Sequence, residues 1–247
     1  MKVNRVRQNV LPLLTAMIWG TAFVAQSIGA DYMGPFVFNA ARAVIAFVFL
    51  LCLLSFRLAF QKRRHVVHPI GQRRDLLLGG LCCGAALTVA SFFQQKGLET
   101  TSSGKAGFIT ALYIVLVPVL GLLLGRKPPR MVWVSIVLAV GGLYCLCITD
   151  GFSITTGDFY VLLCAFCFSV QIMAVDHFGQ KVDGVALSCC QFFVMSVLSA
   201  LGSFADRLPD PALASEWLGP VLYVGVFSSG VAYTLQILAQ KDSDPAV

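Results

Sequence analysis

The chain has 247 residues, of which 57% are apolar and 12% charged, with a mean hydropathy of +0.81. A soluble globular domain carries about 25% charged residues, so this composition excludes a soluble enzyme, a disordered chain and a disulfide-stapled secreted module. The net charge of +6 does not point to nucleic acid, because Lys and Arg sit at the ends of apolar runs rather than along one groove-sized surface.

A membrane-crossing helix needs roughly 20 mostly apolar residues, and eight runs approach or meet that length. The first covers residues 11–30, behind Lys2, Arg5 and Arg7. It is too long for the core of a signal peptide, and seven more runs follow it, so it reads as a retained helix. The others cover 35–56, 76–94, 106–125, 131–149, 158–175, 184–204 and 217–239. Pro128 and Pro129 separate the fourth from the fifth, since proline cannot continue a helix ladder. The expected fold class is all-α, a polytopic transmembrane helix bundle.

With the N-terminus cytoplasmic, the inner segments hold fourteen Lys and Arg: Lys2, Arg5, Arg7, Arg57, Lys62, Arg63, Arg64, Arg73, Arg74, Arg126, Lys127, Arg130, Lys181 and Lys241. The outer segments hold three, Lys96, Lys105 and Arg207, and Arg42 lies within a span. This bias predicts a multi-pass protein of the cell (inner or plasma) membrane with a cytoplasmic N-terminus. Trp217 and Tyr32 fall near span ends, where amphipathic rings favour the interface.

The nine cysteines all lie in apolar runs. Cys164 and Cys167 form one C-x-x-C, but no second pair or nearby His completes a zinc set, so they read as small packing residues. His65, His68 and His177 are placed in cytoplasmic loops. No G-x-S-x-G, H-E-x-x-H or Walker sequence occurs, and neither a metal nor a cofactor is expected.

The chain also resembles itself. Phe38 to Arg42 and Leu187 to Gln191, 149 residues apart, match class for class, and Trp19 meets Phe168 at the same offset. Gln95-Lys96 and Gln240-Lys241 match at an offset of 145. The first unit, 9–149, has five spans, and an odd number inserts the next unit upside down. Inverted repeats are a recurring plan of secondary transporters, with the substrate site between the halves. The second unit, 158–247, has three spans. The repeat therefore predicts two further helices near positions 251–270 and 276–294, about 50 residues in all, for a total of ten.

The run Ala16-Met-Ile-Trp-Gly-Thr-Ala-Phe23, Pro35 with Arg42, the run Phe93-Gln-Gln-Lys-Gly-Leu-Glu-Thr-Thr-Ser-Ser-Gly-Lys-Ala-Gly-Phe-Ile-Thr110, and Val117-Pro118 together resemble the EamA-type transporters of the drug/metabolite transporter superfamily. The resemblance covers essentially the whole chain and is clearer in its first half. It implies ten helices around a central cavity and movement of small metabolites, amino acids or drug-like compounds, often outward. It departs at Arg126, where many relatives carry glutamate, so no role is carried over to that position.

Polar groups within the bilayer are costly and mark candidate sites. Arg42 is the one charge placed within a span, seven residues past Pro35 and so about 10 Å deep, and Asn39 lies one turn outward on the same face. A lone guanidinium at the bilayer centre costs about 2.5–3.5 kcal/mol. Arg42 either lines the cavity and attracts a carboxylate or polar substrate, or is structural, bonded to backbone carbonyls or snorkelling outward. Its counterpart Gln191 favours a polar level in both halves. The expectation is that Arg42 faces the cavity, bonded by Asn39 and near Gln191, Trp19 and Gln26.

Trp19, Phe23 and Gln26 form one stripe of the first helix. Tyr233, Gln236 and Gln240 do so on the eighth, Thr110 and Tyr113 on the fourth, and Phe168 with Gln171 on the sixth. Such stripes suit a cavity for amphiphilic molecules, or else hydrogen-bond one helix to another. No Asp or Glu lies mid-span; Asp75 and Asp158 are at span ends. Gly80-x-x-x-Gly84 and Gly121-x-x-x-Gly125 are helix-packing devices, or the contact of a homodimer. The partners expected are a small-molecule substrate and the lipid bilayer, without nucleic acid. The rival to a transporter is an eight-span membrane-embedded enzyme or receptor, which needs a catalytic cluster at a membrane face.

Overall fold

A computed structural model of the chain describes residues 5–63, 70–125, 130–149 and 155–240. It is helical, with no strand among the described residues. The helices are α1 (Arg5–Tyr32), α2 (Pro35–Arg63), α3 (Arg73–Gly97), α4 (Ser103–Thr110), α5 (Tyr113–Leu123), α6 (Arg130–Thr149), α7 (Thr156–Gly179), α8 (Gly184–Gly202), α9 (Ala214–Tyr223) and α10 (Tyr233–Gln240). A π-helical segment, Val224–Ala232, joins the last two. Seven segments are long and apolar enough to cross a membrane, and α6 adds a shorter apolar stretch, Arg130–Gly142. Lys2, Arg64, Arg126, Lys127, Lys241, His65, His68, Pro128 and Pro129 lie outside the described residues.

The polarity of the bundle is inside out relative to a soluble protein. Leu13, Met17, Leu81, Val137, Leu138, Phe166 and Leu201 are exposed, whereas Gln26, Asn39, Arg42, Gln94, Gln95, Gln171 and Gln191 are buried. In lipid the apolar surface is solvated by acyl chains, and polar side chains find partners only between helices. This is a multi-pass membrane protein.

The core lies where α2, α3, α7 and α8 meet, around Leu50, Leu87, Phe168, Phe192 and Met195. The heaviest packing is α3 against α7 and α8, and α2 against α8. Gly80 and Gly84 face α8: a Cβ on Gly80 would meet Cys190 Cβ at 2.6 Å, and one on Gly84 would meet Val194 Cβ at 2.6 Å. The first G-x-x-x-G thus works within the chain. The second does not act as a pair, because Gly125 has φ +78° and no described residue beside it; it is the left-handed residue that follows the end of α5.

Several expected spans are not continuous. The fourth breaks at Ala111–Leu112 into α4 and α5, where the ladder tightens to Leu112 N→Ile109 O and Val115 N→Leu112 O. Pro118 in α5 lacks the N–H that would reach Ile114 O, and its ring crowds that carbonyl. The eighth widens into the π segment. His177 lies in the last turn of α7, exposed, with Nε2 2.8 Å from Lys181 Nζ, and not in a loop. The eight cysteines whose side chains are described are free thiols.

Polar contacts tie the two ends of the bundle. At one end Asp206 accepts from Phe36 N and Val37 N at 2.6 and 3.2 Å, and Arg207 Nη2 donates to Ala30 O at 2.6 Å. At the other, Arg57 pairs with Asp183 at 2.7 Å, and Asp183 also caps α8 through Val185 N and Ala186 N.

Candidate functional site

A cavity of about 400 Å³ opens between α1, α4, α5, α7 and α10. Its aromatic wall follows from helix periodicity. Trp19 and Phe23 are one turn apart on α1, and Phe168 and Tyr233 face them from α7 and α10. Trp19 meets Tyr233 edge-on with centroids 5.1 Å apart, and Tyr233 meets Phe192 at 5.4 Å. The π segment places the Ser228 carbonyl within reach of Trp19 Nε1, at 3.4 Å. Such segments occur often at functional sites, because they shift the side chains that follow.

The polar wall centres on Arg42, which is 2% exposed. Its Nη1 donates to Gln26 Oε1 at 2.9 Å, and Gln95 Nε2 donates to the main-chain carbonyl of Gln26 at 2.8 Å. Arg42 Nε has no partner. Across the cavity Gln171 Nε2 donates to Gln191 Oε1 at 3.3 Å, and the oxygens Gln171 Oε1, Gln236 Oε1 and Thr110 Oγ1 accept no bond. Among the described residues the lining contains no Asp, Glu, Lys or His.

Of the thirteen stripe and polar residues singled out from the sequence, the structure brings ten into the lining: Trp19, Phe23, Gln26, Arg42, Thr110, Tyr113, Phe168, Gln171, Tyr233 and Gln236; Gln240, at the end of α10, is not among them. Gln191 sits behind the wall, holding Gln171. Asn39 is elsewhere in the interior. It does not bond Arg42, and both polar atoms of its amide are buried without a partner; one helical turn separates the two residues, but Arg42 extends toward α1. Asp158 and Lys105 are a second departure. Lys105, expected in an outer segment, lies in α4 and is 8% exposed, so Arg42 is not the one charge within the spans. Its Nζ meets Asp158 Oδ2 at 2.8 Å.

Gln94 and Gln95 were not selected from the sequence, although Gln94 lines the cavity and Gln95 braces Gln26. The paired amides at the end of an apolar run were the available signal. For Lys105 the signal was Ser102, whose hydroxyl accepts from Lys105 N and starts α4 early enough to include the lysine.

A sequence model described as "EamA-like transporter family" matches residues 8–148 and again 155–247. The chain is similar to an "uncharacterized transporter" of Archaeoglobus fulgidus, 32% identical over 80% of this chain and 58% of that protein. It is also similar to a "probable terminal-alkyne amino-acid exporter" of Streptantibioticus cattleyicolor, 24% identical over 90% of this chain and 72% of the other. Protein PagO of Salmonella typhimurium is 22% identical, over 92% and 74% respectively. The chain therefore spans 58% of the length of the Archaeoglobus protein. A solved crystal structure shares the fold with a TM-score of 0.68 at 21% identity, covering 97% of this chain and 80% of that one.

Proposed function

The chain belongs to the EamA-like transporter family, and on that premise we propose that it is a secondary transporter carrying small organic molecules through the cavity between its two matched segments. The carrying observation is the cavity itself. It is walled by α1, α4 and α5 from the first matched segment and by α7 and α10 from the second, and ten side chains picked out from the sequence, as helix stripes or as a charge within a span, converge on it. Family membership favours this reading over a membrane-embedded enzyme or receptor.

The two segments are read as inverted repeats. The packing supports this: α3 packs on α7 much as the π segment and α10 pack on α1, while α2 packs on its own counterpart α8. Alternating access would then be rocking of one unit against the other. The charge bias, still fourteen inner against Lys96 and Arg207 outside once Lys105 is placed within α4, supports a cytoplasmic N-terminus in the cell membrane. The exporter name of the Streptantibioticus relative supports outward movement of small metabolites.

The test is reconstitution of the full chain in liposomes with labelled amino acids, aryl carboxylates and aromatic amines. Saturable movement of at least one class is expected, and Gly107→Trp should abolish it, because Gly107 lines the cavity opposite Phe23. No saturable movement of any class contradicts the reading.

A further inference from the structure

We infer that the Arg42 end of the cavity is a carboxylate subsite, and that the molecules it takes are small monocarboxylates with an aromatic or branched apolar body. The inference rests on the transport reading for its meaning but not for its test.

Three observations carry it. First, Arg42 is the one ionised group among the described lining residues, and none of them carries a charge that offsets it. Among the described residues Arg42 makes no ion pair; the buried carboxylate Asp158 is engaged with Lys105, and the partly buried Asp183 with Arg57. A buried guanidinium normally finds an anion or a full set of acceptors. This one has a single protein acceptor, Gln26 Oε1, and its Nε is orphaned although the side chain is 2% exposed.

Second, the group is held in place. Gln26 Oε1 holds one edge of the guanidinium, and Gln95 Nε2 bonds the Gln26 main-chain carbonyl, tying that turn of α1 to α3. A planar fork restrained on one edge offers the remaining N–H groups in the geometry that matches two carboxylate oxygens. A snorkelling arginine would be free at its tip, and a purely structural one would have its donors spent on carbonyls. The brace is what separates those readings from a binding group.

Third, the rest of the wall suits the remainder of such a molecule. Trp19, Phe23, Phe168 and Tyr233 offer an aromatic slot. The unpaired oxygens of Gln171 and Gln236 can accept from a hydroxyl or an ammonium on the same ligand. An amino acid and a simple aryl acid share the carboxylate, so both are arms of the test. A cation without a carboxylate would meet Arg42 with like charge in a low-dielectric site.

The experiment uses the purified full chain in detergent with Trp133→Phe and Trp217→Phe, which leaves Trp19, a lining residue, as the sole indole. Its emission is titrated with 3-phenylpropionate, L-phenylalanine and 2-phenylethylamine. Saturable shifts with both acids, or with phenylalanine alone, support the subsite; the second result shows that the ammonium is also read. Arg42→Gln should weaken the acids by about 10- to 100-fold, the range for losing a hydrogen bond to a charged group, and Arg42→Lys should restore part of it.

Gln26→Glu guards against misfolding of the Arg42 variants. It supplies an internal carboxylate to the same guanidinium, so the protein should remain monodisperse while the acids lose their affinity. Phenylethylamine binding as tightly as the acids, acid binding unchanged in Arg42→Gln or Gln26→Glu, or no saturable response to either acid overturns the subsite. Failure of the transport reading looks different: the acids still bind at Trp19, but nothing moves across proteoliposomes.

Discussion

The ammonium of Lys105 lies 2.8 Å from a carboxylate oxygen of Asp158, with the two side chains 9% and 6% exposed. The pair joins α4 in the first matched segment to α7 in the second. Asp158 is fully used: its other oxygen accepts from Thr101 Oγ1 at 3.0 Å, and it completes a capping box with Thr155 at the start of α7. Breaking a buried ion pair by removing one partner costs about 3–5 kcal/mol, because the other charge is left uncompensated. Lys105→Gln and Asp158→Asn should each lower the unfolding temperature in detergent, and the double substitution should lower it by less than their sum. An unchanged midpoint in Lys105→Gln would show that the pair holds nothing.

Asn39 makes the opposite case. It is 1% exposed, with neither amide atom bonded. Replacing a buried polar group without partners by an apolar one of similar shape is neutral or stabilising. Asn39→Leu should therefore keep or raise the unfolding temperature, whereas Gln26→Leu, which strips Arg42 of its acceptor, should lower it.

Packing on α8 sets a steeper limit. A Cβ at Gly84 would sit 2.6 Å from Val194 Cβ and 2.7 Å from Gln191 O, while one at Gly104 meets nothing within 4 Å. Overpacking costs about 1–3 kcal/mol or more when backbone must move. Gly84→Leu should lose monodisperse protein on size-exclusion chromatography. Gly104→Ala should match the parent.

Orientation is checked at Lys62, in the last turn of α2. In a background without native cysteines, Lys62→Cys should resist an impermeant maleimide added to intact cells and react once the cells are opened. Labelling from outside would reverse the topology and the sense of transport with it.

Much of this was legible in the sequence because a membrane chain writes its fold in plain periodicities. Apolar length gave the spans, and the 3.6-residue stripe placed Trp19, Phe23 and Gln26 on the side that faces the cavity. What was missed was local geometry that hydropathy does not see. The π segment at Val224–Ala232 carries no charge or proline to announce it, and the α4–α5 break sits ahead of Pro118 rather than on it. The Asn39–Arg42 bond failed for a different reason. Helical spacing fixes which Cα atoms are near, but a long side chain chooses its partner from the neighbouring helix, and Gln26 on α1 was the better acceptor. Lys105 departs from the expected outer segment because a charge paired with Asp158 can begin a span rather than end one.

The most direct measurement asks whether the two matched segments must separate where α4 meets α7. Thr101 Oγ1 and Thr155 Oγ1 lie 3.2 Å apart across that contact, so Thr101→Cys/Thr155→Cys places two sulfurs within bonding reach. In a cysteine-free background, reconstituted in liposomes with whichever labelled compound the parent moves, the reduced protein should transport. The oxidised protein should not, and reductant should restore the rate. Transport by the cross-linked protein at the reduced rate would contradict alternating access through this cavity.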